Sequence, residues 1–232
     1  MPADAIVAFA GKNPSIRLMF VNDGSTDGTL PLLRSLATKL PPGAEVLDCP
    51  VNGGKAEAVR LGMLQALSKS DAPVVGFWDA DMATPLDASL GLLETLDARP
   101  DIHMVFGARV KLLGREIERN PLRHYLGRTF ATAVSIVLGM PIYDTQCGAK
   151  LFRADDRLRQ VLRDRFGSRW IFDVEIIARF IQMDGGDSAR LAASIYEYPL
   201  MVWRDIAGSK VRPTDFLKAF KELVAIYLRY RR

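Results

Sequence analysis

Two aspartates one residue apart, Asp79 and Asp81, follow a short apolar run (74–78) and precede the turn Met82-Ala83-Thr84-Pro85. An apolar run of that length bounded by turn residues reads as a buried strand. Open α/β sheets bind ligands outside the carboxyl ends of their strands. Two carboxylates at such an end suit a hard divalent cation that keeps most of its waters and also grips a diphosphate. The same tripeptide fits an ordinary Asp-rich turn with no chemistry, so its neighbours decide. Asp23 ends a second strand-like run in Asp23-Gly24-Ser25-Thr26-Asp27-Gly28, and Lys55 closes Asn52-Gly53-Gly54-Lys55 at the start of a long helix. Free N–H groups and the helix dipole attract phosphate at such a start. A carboxylate for ribose or base, a lysine near phosphate and a metal-binding acid pair together make a nucleotide-diphosphate site. Each piece alone is common; their order and strand context carry the reading.

The elements that must bring these turns together alternate. Strands are expected over 17–22, 45–49, 74–78 and 104–107, with helices over 29–40, from Lys55 to about Lys69, and over 87–96. Pro41-Pro42-Gly43 stops the first of these helices, because proline cannot continue one. Strands alternating with helices imply parallel pairing and right-handed crossovers, which collect the three turns on one sheet edge. The second half is different. Arg109, Arg115, Arg119, Arg123 and Arg128 crowd one stretch, and fifteen uncharged residues (129–143) follow. A helix is expected over 172–183, a late strand over 194–198, and a helix with one apolar face over 213–230. Trp170 and Phe172 read as core. There are no repeats and no low-complexity linkers, so the chain reads as one domain over 1–232 with a C-terminal amphipathic helix over 213–232.

Composition excludes several classes. Of 232 residues, 49% are hydrophobic and 25% charged, ordinary for a folded globular chain. The net charge of +4 does not call for nucleic acid, and the aromatic-basic interleaving of single-strand binders is missing. Cys49 and Cys147 fit no metal spacing, and His103 and His124 are isolated. The uncharged stretch 129–143 falls short of the roughly 20 apolar residues a membrane span needs. With no signal peptide visible, a reducing cytoplasmic setting is the expectation.

Three motifs resemble the family 2 glycosyltransferases of the GT-A fold: Val21-Asn22-Asp23-Gly24-Ser25-Thr26-Asp27-Gly28-Thr29, Asn52-Gly53-Gly54-Lys55 and Asp79-Ala80-Asp81. Further motifs are similar to the dolichyl-phosphate glucosyltransferase branch: the decapeptide from Tyr143 to Phe152, Arg169-Trp170-Ile171-Phe172-Asp173-Val174-Glu175, and Gly208-Ser209-Lys210-Val211. The resemblance covers nearly the whole chain. It implies an α/β, Rossmann-like, mostly parallel sheet with helices on both faces. It also implies inverting, metal-dependent transfer of a sugar from a nucleotide diphosphate to a polyprenyl or dolichyl phosphate. Asp23 and Gly24 would then hold the nucleoside, Lys55 would lie near it and the diphosphate, and Asp81 would ligate Mg2+ or Mn2+. Asp79 would contact ribose, sugar or a metal-bound water. Ala83 stands where the mannosyl branch carries glutamine, which points to glucose from UDP-glucose. The rival readings are GDP-mannose or UDP-GlcNAc as donor, a polysaccharide-type transferase, and an inactive nucleotide-sugar-binding homologue.

A phosphate monoester acceptor is largely dianionic at pH 7, with a second pKa of about 6. It needs cations more than a base. Arg109, Arg123, Arg128, Ser209 and Lys210 are the candidates to hold it, since arginine grips phosphate bidentately. Arg115 and Arg119 read as a solvated helix face. Asp144 has two readings, a base or orienting group and a loop or capping aspartate. The polyprenyl chain places the enzyme peripherally on the cytoplasmic face of a membrane. The helix over 213–230, with its basic end, reads either as an interfacial helix on anionic lipid or as a C-terminal helix packed on the core. Members of this family begin with a strand that is central in the sheet, between the runs 17–22 and 74–78. Here residues 3–10 read as the helix that should follow it, and no strand precedes them. The expectation is an N-terminally truncated reading of a longer protein, poorly folded and inactive when expressed alone.

Overall fold

Short apolar runs become strands here because the chain buries them on both faces. All five residues of the run from Met104 are buried, as are four of the five from Ala149. The computed structural model describes residues 2–69, 71–118, 121–205 and 213–230. In chain order the elements are α1 (Ala3–Lys12), β1 (Met19–Asp23), α2 (Thr29–Ala37), β2 (Glu45–Cys49), α3 (Lys55–Lys69), β3 (Val74–Trp78), α4 (Ala88–Ala98), β4 (Met104–Ala108), β5 (Glu116–Glu118), α5 (Pro121–Leu138), β6 (Ala149–Arg153), α6 (Asp156–Arg163), α7 (Phe172–Met183), α8 (Ser188–Ala192), β7 (Ile195–Pro199), β8 (Val202–Arg204) and α9 (Pro213–Tyr230).

The largest sheet runs β3-β6-β4-β7. β4 and β7 are parallel, and β6 lies antiparallel between β3 and β4. That antiparallel insertion sits within the mostly parallel arrangement expected. β6 escapes sequence reading because Lys150, its second residue, interrupts the apolar run. Inside the fold Lys150 is 1% exposed and its Nζ lies 2.6 Å from Asp173 Oδ1, so the buried charge is paired rather than stranded. β1 and β2 form a separate parallel ladder, and β5 and β8 a third. Among the described residues β1 pairs with β2 alone and β3 with β6 alone. Helix α3 packs on both β1 and β3 and spans the two sheets.

Helices cover both faces of the large sheet. On one face Leu92 and Leu96 of α4 meet Ile102, Val105 and Leu151. On the other, α3, α5, α6, α7 and α9 enclose the main core around Phe106, Phe152 and Phe172. Helix α9 joins the two readings of the sequence. Ala219, Leu223 and Ile226 are buried, and the helix packs on α5 and α7, while Leu217, Val224 and Leu228 stay exposed. Among the described residues no helix is long and apolar enough to cross a membrane.

Candidate active site

The carboxyl ends of β1 and β3 meet the start of α3. Asp23 turns back onto the glycine-rich loop: its Oδ1 accepts from the Gly53 N–H and its Oδ2 from the Gly54 N–H, both at 2.8 Å. Asn52 Nδ2 donates to the Asp23 carbonyl at 2.9 Å. The N–H groups expected to wait for phosphate are therefore already held by Asp23. The two loops touch because residue 24 is glycine. Its φ is +62°, and a Cβ there would lie 2.5 Å from the Asn52 nitrogen.

At the end of β3, Lys55 Nζ lies 2.6 Å from Asp79 Oδ1, with side chains 49% and 34% exposed. Burial pulls the Lys55 ammonium toward the neutral form. Asp79 first, then Asp173 and Asp81, outweigh it and raise its pKa, so the lysine stays charged. The Asp79 N–H donates to the Gly148 carbonyl at 2.8 Å, and a Cβ on Gly148 would sit 2.0 Å from the Asp79 carboxylate. Gly148 is the floor of this carboxylate. Asp81 Oδ1 accepts from the Ala83 N–H at 3.0 Å. Between them Met82 has a φ of +56°, a left-handed backbone that non-glycine residues seldom adopt. Trp78 Nε1 pins the turn by donating to the Thr84 carbonyl at 2.8 Å.

The arginine-rich segment after β4 is arranged differently. Arg109 holds Asp144 bidentately, Nε to Oδ2 at 2.6 Å and Nη2 to Oδ1 at 2.7 Å, and its guanidinium lies 5.3 Å from the Trp203 ring centre. The sequence put Arg109 in a phosphate clamp and left Asp144 as base or loop aspartate. In the structure each is the other's partner. The Tyr143 and Asp144 N–H groups both donate to Glu197, at 2.8 and 2.7 Å. Arg128 donates to the Tyr143 carbonyl at 3.2 Å and stacks 3.9 Å above the Tyr143 ring. Burial works against the Arg109 cation, but Asp144 overrides it and raises the pKa, with a smaller contribution from Asp79. That field links the two groups of residues. Arg115 is not a solvated cation either: it donates to the Pro199 carbonyl. Arg123 lies in α5 with its side chain outside the described residues, as are Arg119, Ser209 and Lys210. The Cys147 thiol is pushed up to about 11 by burial, so it is no nucleophile at neutral pH.

Among the described residues no three His, Cys, Asp or Glu side chains cluster to cage a metal. Asp79 and Asp81 still fit an ion that takes most of its ligands from water and a diphosphate. Asp81 is the better donor, since Asp79 is already paired with Lys55. Sequence reasoning missed Gly148, Glu197 and the Lys150–Asp173 pair. It placed Trp170 in the core, whereas 47% of that residue is exposed.

A carboxylate cradle at the end of β1 and a lysine-paired acid couple at the end of β3 meet at the start of α3 in this α/β domain. Residues 4–179 match the model of glycosyl transferase family 2, and the chain belongs to that family. It is 33% identical over 230 residues to dolichyl-phosphate beta-glucosyltransferase ALG5C of Trichomonas vaginalis, covering 96% of this chain and 63% of that protein. It is 30% identical over 229 residues to the dolichyl-phosphate beta-glucosyltransferase of Saccharomyces cerevisiae, covering 92% and 64%. The chain thus spans somewhat under two thirds of these relatives' length. Glucosyl-3-phosphoglycerate synthase from Mycobacterium tuberculosis, solved with Mn2+, uridine diphosphate and glucosyl-3-phosphoglycerate, superposes with a TM-score of 0.64. It is 18% identical, with 98% of this chain and 74% of that chain covered, and it fixes the fold as GT-A.

Proposed function

We propose that this protein transfers a hexose, glucose from UDP-glucose, to a polyprenyl or dolichyl phosphate with inversion at the anomeric carbon. The observation that carries the reading is the Lys55–Asp79 ion pair beside Asp81, next to the Asp23 cradle on the loop that leads into Lys55. Relatives named dolichyl-phosphate beta-glucosyltransferase support the acceptor and the sugar.

In this mechanism Asp23 fixes the glycine-rich loop against which the nucleoside lies. Lys55 offers its charge to the diphosphate, and Asp79 keeps that charge in place. Asp81, with Asp79, would hold Mg2+ or Mn2+. Such an ion, when bound, neutralises charge on the leaving diphosphate. An oxygen of the lipid phosphate attacks the anomeric carbon as the bond to UDP breaks. Because the acceptor is already dianionic, no side chain has to remove a proton, which agrees with an Asp144 committed to Arg109. Arg128, with Arg123 and Lys210, supplies the cations for the lipid phosphate. The exposed Leu217, Val224 and Leu228 of α9 give an apolar stripe for the surface of a membrane, on its cytoplasmic face. The test is to incubate the protein with a polyprenyl phosphate and a panel of nucleotide sugars with Mg2+ or Mn2+, and weigh the lipid product. A hexosyl-phosphate lipid formed from UDP-glucose is expected. A product formed from GDP-mannose alone overturns the donor, and transfer to a free hydroxyl overturns the acceptor.

A further inference from the structure

The loop between α6 and α7 is held by several helices, and one exposed cation on it, Arg169, has no partner among the described residues. Arg60 of α3 donates to the carbonyls of Leu162 and Arg163 at 3.0 and 3.1 Å. Arg165 Nε lies 3.1 Å from Glu57 Oε1, which ties the loop to the first turn of α3. From α7, Glu175 accepts the Gly167 and Ser168 N–H groups at 3.0 and 2.7 Å. From α9, Glu222 accepts the Ser168 hydroxyl and the Trp170 and Ile171 N–H groups, the last two at 3.1 and 3.3 Å. Helices α3, α7 and α9 therefore spend three carboxylates, Glu57, Glu175 and Glu222, on one surface loop, and Arg60 holds the end of α6 that leads into it.

This clamping presents Arg169. A Cβ built on Gly54 would lie 3.4 Å from Arg169 Nη2 and 3.5 Å from Nε, so the guanidinium rests on the backbone of the glycine whose N–H holds Asp23. Arg169 is exposed and makes no ion pair or hydrogen bond to any described residue. The cations on the same loop and beside Gly54 are spoken for: Arg165 by Glu57 and Lys55 by Asp79. A planar fork of donors held on a fixed loop matches a phosphate oxygen pair.

We propose that Arg169 is a donor-binding residue that grips the diphosphate of the nucleotide sugar from the side of Gly54, and that Glu222 of α9 is the positioning residue that holds its loop. The inference rests on the reading of this site as a nucleotide-sugar site. It adds a consequence: the helix with the exposed apolar stripe also sets the geometry of donor binding. A shift of α9 would reach the donor through Glu222 and the loop.

The experiment is calorimetric titration of the full chain in Mg2+ with UDP and with uridine, and in parallel with GDP and guanosine. Wild type, Arg169→Ala, Arg169→Lys and Glu222→Gln are compared, each checked for an unchanged melting temperature. Arg169→Ala is expected to weaken the nucleoside diphosphate that wild type binds by about tenfold, the value of a charge-assisted hydrogen bond. The matching nucleoside should bind as before. Arg169→Lys should recover part of the loss, and Glu222→Gln should show a smaller loss of the same kind. Undiminished diphosphate affinity in Arg169→Ala overturns the inference and leaves the proposed function standing. An equal loss for nucleoside and diphosphate also overturns it, because Arg169 would then read the nucleoside. If wild type binds neither diphosphate, the inference and the proposed function fall together.

Discussion

The strand ends of β1 and β3 and the segment after β4 carry similar charged residues in opposite conditions. Lys55 and Asp79 form an ion pair with side chains 49% and 34% exposed, whereas those of Arg109 and Asp144 are 14% and 7% exposed. The first pair is open to a ligand and is a weak stabiliser, since exposed ion pairs are worth about 0–1 kcal/mol. The second is closed. Its members have already exchanged water for each other, and breaking one side leaves a buried charge. Charge density in the sequence therefore says little about which charges stay accessible; burial separates the open pair from the closed one.

If that division is right, the two regions fail differently. Asp81→Ala in the open region should lower sugar transfer by about 10²–10³-fold, the loss seen when a group that stabilises developing charge is removed. Its melting temperature should hold, because among the described residues the lost side chain makes one local hydrogen bond, to Ala83. Excess EDTA should silence the wild type to the same degree. Retained turnover in EDTA would remove the metal from the account.

In the closed region the order reverses. Asp144→Ala leaves Arg109 buried and unpaired and should cost about 3–5 kcal/mol of stability, read from the urea midpoint. Replacing both partners by apolar residues, Arg109→Met with Asp144→Leu, should recover much of that. An Asp144→Ala protein that melts like wild type but no longer transfers sugar would break the comparison and restore Asp144 as a reacting group.

Arg128 lies between the two conditions, half-buried on Tyr143 and bonded to a carbonyl rather than to a carboxylate. Among the described residues no direct ion pair compensates its charge, so Arg128→Ala should raise the KM for lipid phosphate by about tenfold. UDP affinity should not change. A shift in UDP affinity alone would move Arg128 to the donor side.

Much of this was legible in the sequence where local signals agreed. The strands 45–49 and 74–78 and the helices 172–183 and 213–230 fall where apolar pattern and punctuation put them. The convergence of Asp23, Lys55, Asp79 and Asp81 followed from strand order. What stayed hidden depended on partners distant in sequence. Lys150 looked like a break because its partner Asp173 is on another element. Helix α6 was lost in the charge-dense run from Asp155 to Arg165, although Leu158, Val161 and Leu162 carry its buried face. Arg109 looked like a phosphate ligand and Asp144 like a base or a loop aspartate, because nothing local shows that they face each other. Trp170 looked like core because aromatic residues usually are; its loop is turned outward by carboxylates on α7 and α9.

The smallest effect concerns that loop and pH. Burial would raise the carboxyl of Glu175, but the Gly167 and Ser168 N–H groups, the Tyr230 hydroxyl and Arg179 together hold it below its ordinary 4.5. A carboxyl lowered in the folded state contributes stability that is present above its unfolded value, 4.5, and is lost as pH falls through the folded one. The wild type should therefore lose stability on acidification below pH about 4.5 through this group among others. Glu175→Gln keeps the shape and one acceptor oxygen but does not titrate. It should be less stable than wild type at neutral pH, and its urea midpoint should fall less steeply on acidification. Trp170 sits on the loop itself, so its fluorescence should report loosening at a higher pH than global unfolding does. Parallel midpoint-against-pH curves for the two proteins would show that Glu175 gains nothing from its ionised form, and the loop would then owe its rigidity to Glu222 on α9 instead.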